Sequence, residues 1–327
     1  MLFRSVFLSV EAKKKSRGQL YGGLGVEPIY GFTPQLGYFY PFEKTGVDVY
    51  GEAGYREGKW RKLKGDVRFY YFPGQGEDLA LYLGGYSQRL IKRWQTYEED
   101  YTALSGAPMA GVKISLGRKT LLNLCLSEII TSLENYDSIA EEQEKRKTRD
   151  YDSRFTSELF YSDGDSLVDK RDAARLKVAL SGGRSDLNRK GYGIASLDFK
   201  TSLEAFSWLR FVPRLHGYST TSQERFHWSY VFDRNLMGFF DDFTASRLKG
   251  VAGLDAEFEV SPEIFYAGPF VNSGYFLDER KEGKGKTGTG VKGKLYFRRV
   301  VVDIYFAWDA SKGPSSSGTY VMAESSF

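Results

Sequence analysis

From about Gly18 to the terminal Phe327 the chain runs as a succession of roughly ten-residue segments in which apolar and polar residues alternate. A period of two places successive side chains on opposite faces of a strand. Many such strands in series make a ribbon with one apolar and one polar face. A final strand, Thr319–Phe327, that ends on an aromatic residue points to a ribbon closed into a barrel. The apolar set then faces lipid in an outer membrane and the polar set lines a wet lumen.

Other readings of the pattern are narrower. No stretch approaches the eighteen uncharged apolar residues of a spanning helix. The mean hydropathy of −0.42 is no obstacle to a barrel, because only every second strand residue has to be apolar. Aromatics make up 16% of the 327 residues, with 23 Tyr and 24 Phe, enough to furnish girdles at two membrane interfaces. A Tyr-rich soluble β-sandwich is the alternative, and partition into detergent separates the two.

The 46 Lys and Arg nearly balance the 42 Asp and Glu, giving a net charge of +4 and no nucleic-acid footprint. The single Cys125 cannot form an internal disulfide and reads as a small packed side chain. Met1–Val10 has only a short apolar stretch, and the cluster Lys13-Lys14-Lys15 follows it, so no secretory leader is visible. An outer-membrane chain needs one, so the expectation is that the natural N-terminus is missing. Ser5–Lys13 alternates as well and would make the strand count odd. It reads as the last strand of a truncated periplasmic domain (POTRA-like) covering residues 1–14, with residues 15–327 as the barrel.

Counting back from the C-terminus, strands are expected at Thr319–Phe327, Val300–Trp308, Gly288–Phe297, Ile264–Phe276, Leu248–Val260, Phe206–Tyr218, Gly191–Thr201 and Ala174–Gly182. Upstream they recur at Tyr151–Tyr161, Leu121–Leu133, Met109–Leu116, Leu79–Leu90, Gly65–Phe72, Val47–Tyr55, Pro34–Tyr40 and Gly18–Glu27. That makes about sixteen antiparallel strands, the even number expected of single-chain barrels. Lys292, Lys294 and Tyr296 fall on the lumenal face, opposite Val291, Leu295 and Phe297. Short links such as Gly117-Arg118-Lys119, Arg298-Arg299 and Ser261-Pro262-Glu263 alternate with long ones at Lys92–Ala107, Glu134–Asp150, Thr220–Ser246 and Asp278–Thr287. Short turns mark the periplasmic rim, where Phe327 falls. Ser138 could N-cap a short helix over Ser138–Lys147.

Five late segments carry a family resemblance. Arg234-Asn-Leu-Met-Gly-Phe-Phe lies in the longest loop, before the fifth strand from the end. Ala256-Glu-Phe-Glu-Val-Ser-Pro and Phe270-Val-Asn-Ser-Gly follow on the next two strands, and Gly288-Thr-Gly-Val-Lys-Gly-Lys-Leu with Val302-Asp-Ile-Tyr-Phe-Ala completes the series. In this order they resemble the C-terminal barrel of the bacterial surface-antigen superfamily, the BamA and TamA type. The resemblance implies a loop folded back into the barrel through Leu236, Met237, Gly238 and Phe239. It implies lumenal contacts for that loop at Glu257, Asn272, Asp303, Arg210 and Arg214. Phe327 and Val321 on the last strand then serve as a C-terminal assembly signal. Two positions depart from the family: Met237 stands where it carries Arg, and Asn272 where it carries Asp. Both members of a buried ion pair are thus neutral together, which is less costly than losing one. Asp255, Glu259 and His216 join the inward charges.

Motifs for chemistry fail on context. Gly283-Lys-Gly-Lys-Thr-Gly288 matches G-x-G-x-x-G, but it reads as a flexible basic loop tip before a strand with no helix after it. His216 and His227 are the only histidines, and their spacing fits no zinc site. No G-x-S-x-G elbow occurs. No enzyme, cofactor or metal is expected. The resemblance implies a barrel that inserts or translocates unfolded outer-membrane or secreted polypeptides. Its partners would be the bilayer, those clients and periplasmic proteins reached through upstream domains. The rivals are the translocator of a two-partner secretion system, the anchor of a patatin-like lipase, and a passive porin-like channel. A closing seam between the first and last strands is weakened on one side by Gly22, Gly23 and Gly25 and on the other by Ser325 and Ser326.

Overall fold

A computed structural model describes residues 18–27, 30–74, 78–93, 100–117, 119–136, 145–163, 174–187, 191–230, 235–239, 244–277, 282–297 and 300–326. Its strands are β1 (Gln19–Glu27), β2 (Gly31–Pro41), β3 (Thr45–Arg56), β4 (Lys59–Tyr71), β5 (Leu79–Arg93), β6 (Asp100–Ser115), β7 (Thr120–Tyr136) and β8 (Lys145–Ser162). They continue as β9 (Arg175–Ser185), β10 (Gly191–Lys200), β11 (Leu203–Phe206), β12 (Leu209–Thr220), β13 (Ser229–Tyr230), β14 (Ala245–Ser246), β15 (Leu248–Ser261), β16 (Phe265–Leu277), β17 (Gly283–Phe297), β18 (Val300–Asp309) and β19 (Gly318–Ser326). Every neighbouring pair is antiparallel, and β1 pairs with both β2 and β19, which closes a barrel of 16 strands. β11 follows β10 after Thr201-Ser202 and pairs with the same strand, β12, so the two count as one stave of the barrel, and β13 and β14 form a separate small ribbon in the loop between β12 and β15.

Alternation decides which face is which. On β17 and β18, Lys292, Lys294, Tyr296 and Tyr305 are buried in the lumen, while Val291 and Phe306 stand out. On β15, Asp255 and Glu257 are buried, and Leu254, Phe258 and Val260 are exposed. The outer face carries a belt of exposed apolar side chains around the barrel, including Leu36, Val67, Leu83, Leu126, Phe155, Leu180, Leu215 and Val271. Burying them in hydrocarbon is what stabilises this face; in water each would forgo roughly 1.5–3 kcal/mol. The alternation read from the sequence therefore gives the right barrel, strand number and facing.

The hairpins are longer than the alternation indicates. It predicts long loops at Lys92–Ala107, Glu134–Asp150 and Asp278–Thr287, yet β5, β6, β7, β8 and β17 run through much of each. Beyond the bilayer neither face of a strand has to be apolar, so the two-residue signal disappears while the hydrogen-bond ladder continues. The Gly283–Gly288 run lies within β17 and is not a flexible tip. Lys145-Arg146-Lys147 belong to β8, so a helix over Ser138–Lys147 is excluded there; residues 137–144 lie outside the described set. Phe206 ends β11, and the strand expected to begin at Phe206 begins at Leu209 instead. Residues 1–14, expected to close a periplasmic domain, and Phe327 lie outside the described residues.

Candidate functional site

The segment between β12 and β15 turns into the lumen and is fastened on two walls. Its far leg carries the motif. Leu236 and Met237 are fully buried, and Phe239 is nearly so. Leu236 and Phe239 pack with Val251 of β15 and Phe276 of β16. Met237 packs with Phe270 of β16, Tyr305 and Ala307 of β18, and Tyr320 of β19.

Two glycines make this docking feasible. Gly238 takes a φ of +107°, and its backbone N–H donates to the Tyr320 hydroxyl at 3.1 Å. A Cβ on Gly238 would come within 2.6 Å of the Trp308 carbonyl oxygen. Gly288 on β17 lies beneath the loop, where a Cβ would meet the Met237 carbonyl oxygen at 1.8 Å and Asn272 Oδ1 at 2.9 Å. The Met237 carbonyl and the Asn272 side chain thus converge over Gly288. The Asn272 amide is fully buried, and neither its oxygen nor its nitrogen has a hydrogen-bond partner among the described residues.

Below the motif lies a chain of lumenal charges. Lys292 on β17 is its hub: Nζ donates to Glu257 Oε1 at 2.6 Å and Asp255 Oδ2 at 3.1 Å, and lies 3.4 Å from Asp303. Arg210 and Arg214 on β12 close the ends, donating to Glu257 Oε2 and Asp255 Oδ1, each at 2.6 Å. Three cations thus meet three carboxylates, which offsets the cost of removing them from water. Arg210 also donates to the Tyr296 hydroxyl at 3.0 Å and lies over the Tyr266 ring. Tyr305 joins the two layers, packing with Met237 above and facing Lys292 and Arg214 below. Of the expected loop contacts, Asn272 sits against the motif, whereas Arg210, Arg214, Glu257 and Asp303 are held in this network. His216 pairs instead with Asp198, at 2.5 Å, and Glu259 accepts from the Tyr266 hydroxyl nearer the rim. Val321 lies mid-β19 in register with Ile304.

The near leg has no counterpart among the sequence motifs. Phe226 packs against a cluster of Tyr101 on β6, Leu133 on β7 and Leu187, with Leu90 of β5. His227, whose spacing fits no zinc site, is buried between Tyr192, stacked at 4.5 Å, and Ser222. Arg154 of β8 presents Nη2 to His227 Nε2 at 3.4 Å, and Arg154 and Tyr192 both bond Asp152. A guanidinium can only donate, so Nε2 accepts, and the ring proton sits on Nδ1 and is given to Ser222 Oγ, at 2.7 Å. Burial, with Arg154 and Lys92 nearby, pushes this loop histidine down to about 2, so it is neutral. Lys92 of β5 donates to the Phe226 carbonyl oxygen at 3.1 Å, and Tyr218 donates to that of His227. The loop therefore spans the lumen from β5–β10 to β15–β19.

The closing seam is short. β1 meets β19 over five registered pairs, Tyr21↔Ser326 to Gly25↔Met322, against nine with β2 and thirteen between β16 and β17. Among the described residues no group of His, Cys, Asp and Glu is arranged to hold a metal ion.

Known structures share this architecture. The BamA of Haemophilus ducreyi lacking POTRA domains 1–3 matches over 96% of this chain and 71% of its own, with a TM-score of 0.75 at 10% identity. CdiB from Acinetobacter baumannii matches over 96% of this chain and 61% of its own (TM-score 0.65, 10% identity). CdiB from Escherichia coli matches over 94% and 63% (TM-score 0.62, 9% identity). The chain thus spans less than two thirds of either CdiB. No family model and no curated protein matches the sequence. The fold is that of the BamA and CdiB type of outer-membrane barrel.

Proposed function

We propose that this chain is an outer-membrane barrel that helps insert or translocate other polypeptides. The observation that carries the reading is a lumenal loop fastened beside a short seam. The motif leg rests on β15–β19, and Tyr320 of β19 itself holds the Gly238 N–H. Displacement of β19 and release of the loop are therefore mechanically linked. When the five seam pairs part, the β1 edge offers unpaired N–H and C=O groups, and an incoming strand can add to it. The work is done by hydrogen-bond exchange, with no catalytic step. A loop fixed on two walls disfavours a passive porin-like channel. A second reading, export through the lumen as a two-partner translocator, is favoured by the CdiB likeness and requires both loop legs to leave.

Proteoliposomes bearing the protein separate the two. Faster folding of an added unfolded barrel into the bilayer supports insertion. Protection of a soluble polypeptide inside the vesicles supports export. Neither activity, from protein that is fully inserted, refutes both.

A further inference from the structure

We propose that the outer wall formed by β3–β6, with its flanks on β2, β7 and β8, is a binding site for a lipid whose headgroup carries two separated phosphates. The site rests on the reading of this chain as a barrel standing in an outer membrane.

One rung of the outward face crosses four strands almost bare. Gly51, Gly65, Ser87 and Gly106 are registered in sequence, Gly51 with Gly65, Gly65 with Ser87 and Ser87 with Gly106. Packing does not demand the glycines. A Cβ would meet nothing within 4 Å at Gly65, only the Lys64 carbonyl oxygen at 3.9 Å at Gly51, and the Tyr86 carbonyl oxygen at 3.6 Å at Gly106. Glycine inside a strand costs stability and offers no side chain to pack, so three on one rung need another reason. They leave a trough walled by Leu36, Val49, Leu63, Val67, Leu104 and Ile130, all exposed. Its two hollows hold about 1110 and 640 Å³. A lipid-facing trough of this kind is filled by acyl chains.

The charge sits at one edge. The next rung toward the long-loop rim reads Leu63, Arg89, Leu104, Ser132, Arg149 across β4–β8. Arg89 and Arg149 are exposed on the outer face and line the trough, and neither has an ion-pair partner among the described residues. Guanidinium pairs with phosphate in a forked geometry. The two lie three strands apart, about 14 Å between backbones. That spacing suits two anionic groups on one head better than a single phosphate. Glu134 also lines the trough and is in register with Lys147 of β8.

Native mass spectrometry of detergent-solubilised protein, titrated with bis-phosphorylated lipid A and with its fully dephosphorylated form, tests the site. The intact protein should retain one bis-phosphorylated molecule and bind the dephosphorylated form at least tenfold more weakly. The pair Arg89→Gln and Arg149→Gln should lower affinity at least tenfold. Gly65→Val with Gly106→Val should do the same by filling the trough. Equal binding by all three proteins, or equal binding of both lipids, overturns the inference. Copurification of a protein on this wall, lost in the same variants, also overturns it. Failure of the intact protein to enter membranes would refute the barrel reading itself, which heat-modifiable migration on gels reports separately.

Discussion

Gly288→Ala tests the loop docking with the smallest available change. The added methyl carbon would lie 1.8 Å from the Met237 carbonyl oxygen, while ordinary contact begins near 3.4 Å. About 1.6 Å has to be found. β17 cannot yield it, because thirteen register pairs with β16 and ten with β18 hold it in place. The loop must lift. Lifting breaks the Gly238 N–H bond to Tyr320, worth about 1 kcal/mol. It also loosens Met237 in its pocket with Phe270, Tyr305 and Tyr320, and overpacking of this kind costs about 1–3 kcal/mol. The sum, about 2–4 kcal/mol, lowers the docking constant by roughly 30- to 1000-fold. The readout is the labelling rate of Met237→Cys by a membrane-impermeant maleimide, in a Cys125→Ser background, with and without Gly288→Ala. Gly65→Ala, where a Cβ meets nothing, is the control and should change nothing. A labelling rate within twofold of the parent in the Gly288→Ala protein would refute the docked position.

Three further outcomes follow from the site. Met237→Arg alone buries a cation against an uncharged amide and should lower thermal stability in detergent, by about 1–3 kcal/mol; adding Asn272→Asp should recover most of it, and strictly additive effects would argue against contact. Lys292→Met leaves Asp255 and Glu257 with one cation each and should destabilise by about 3–5 kcal/mol in the same melt, and a loss below about 1 kcal/mol would show the network to be solvated. His227 is held neutral in the folded loop, so its contribution is complete above the unfolded pKa of about 6.5 and is lost as pH falls. Between pH 7 and pH 5 the near leg should weaken by about 2 kcal/mol, seen as faster proteolysis of the loop; a His227→Gln protein with the same pH dependence would refute this.

The barrel is legible in the sequence because lipid imposes a strict period of two on each stave, as in Gly253–Val260 and Lys292–Phe297. Where that constraint ends, so does the signal: the polar parts of β6, β8 and β17 carry no alternation. The motif leg is legible as the apolar run Leu236-Met237-Gly238-Phe239, which is buried, with the Met237 carbonyl and the Asn272 side chain lying over Gly288. The near leg is not, because Arg154, Asp152, Tyr192 and His227 come from three distant segments, and a lone histidine carries no spacing. Alternation places Lys292 in the lumen. Its role as hub needs the registers of β15, β17 and β18, which no single strand encodes.

The most direct test of a seam that opens is to lock it. Leu24 and Ala323 are registered across β1 and β19, so Leu24→Cys with Ala323→Cys, again with Cys125→Ser, can be joined by an oxidant. Oxidised protein in liposomes should lose the ability to accelerate folding of an added barrel, and a reductant should restore it. Full activity with the crosslink quantitatively in place would contradict a seam that parts during insertion.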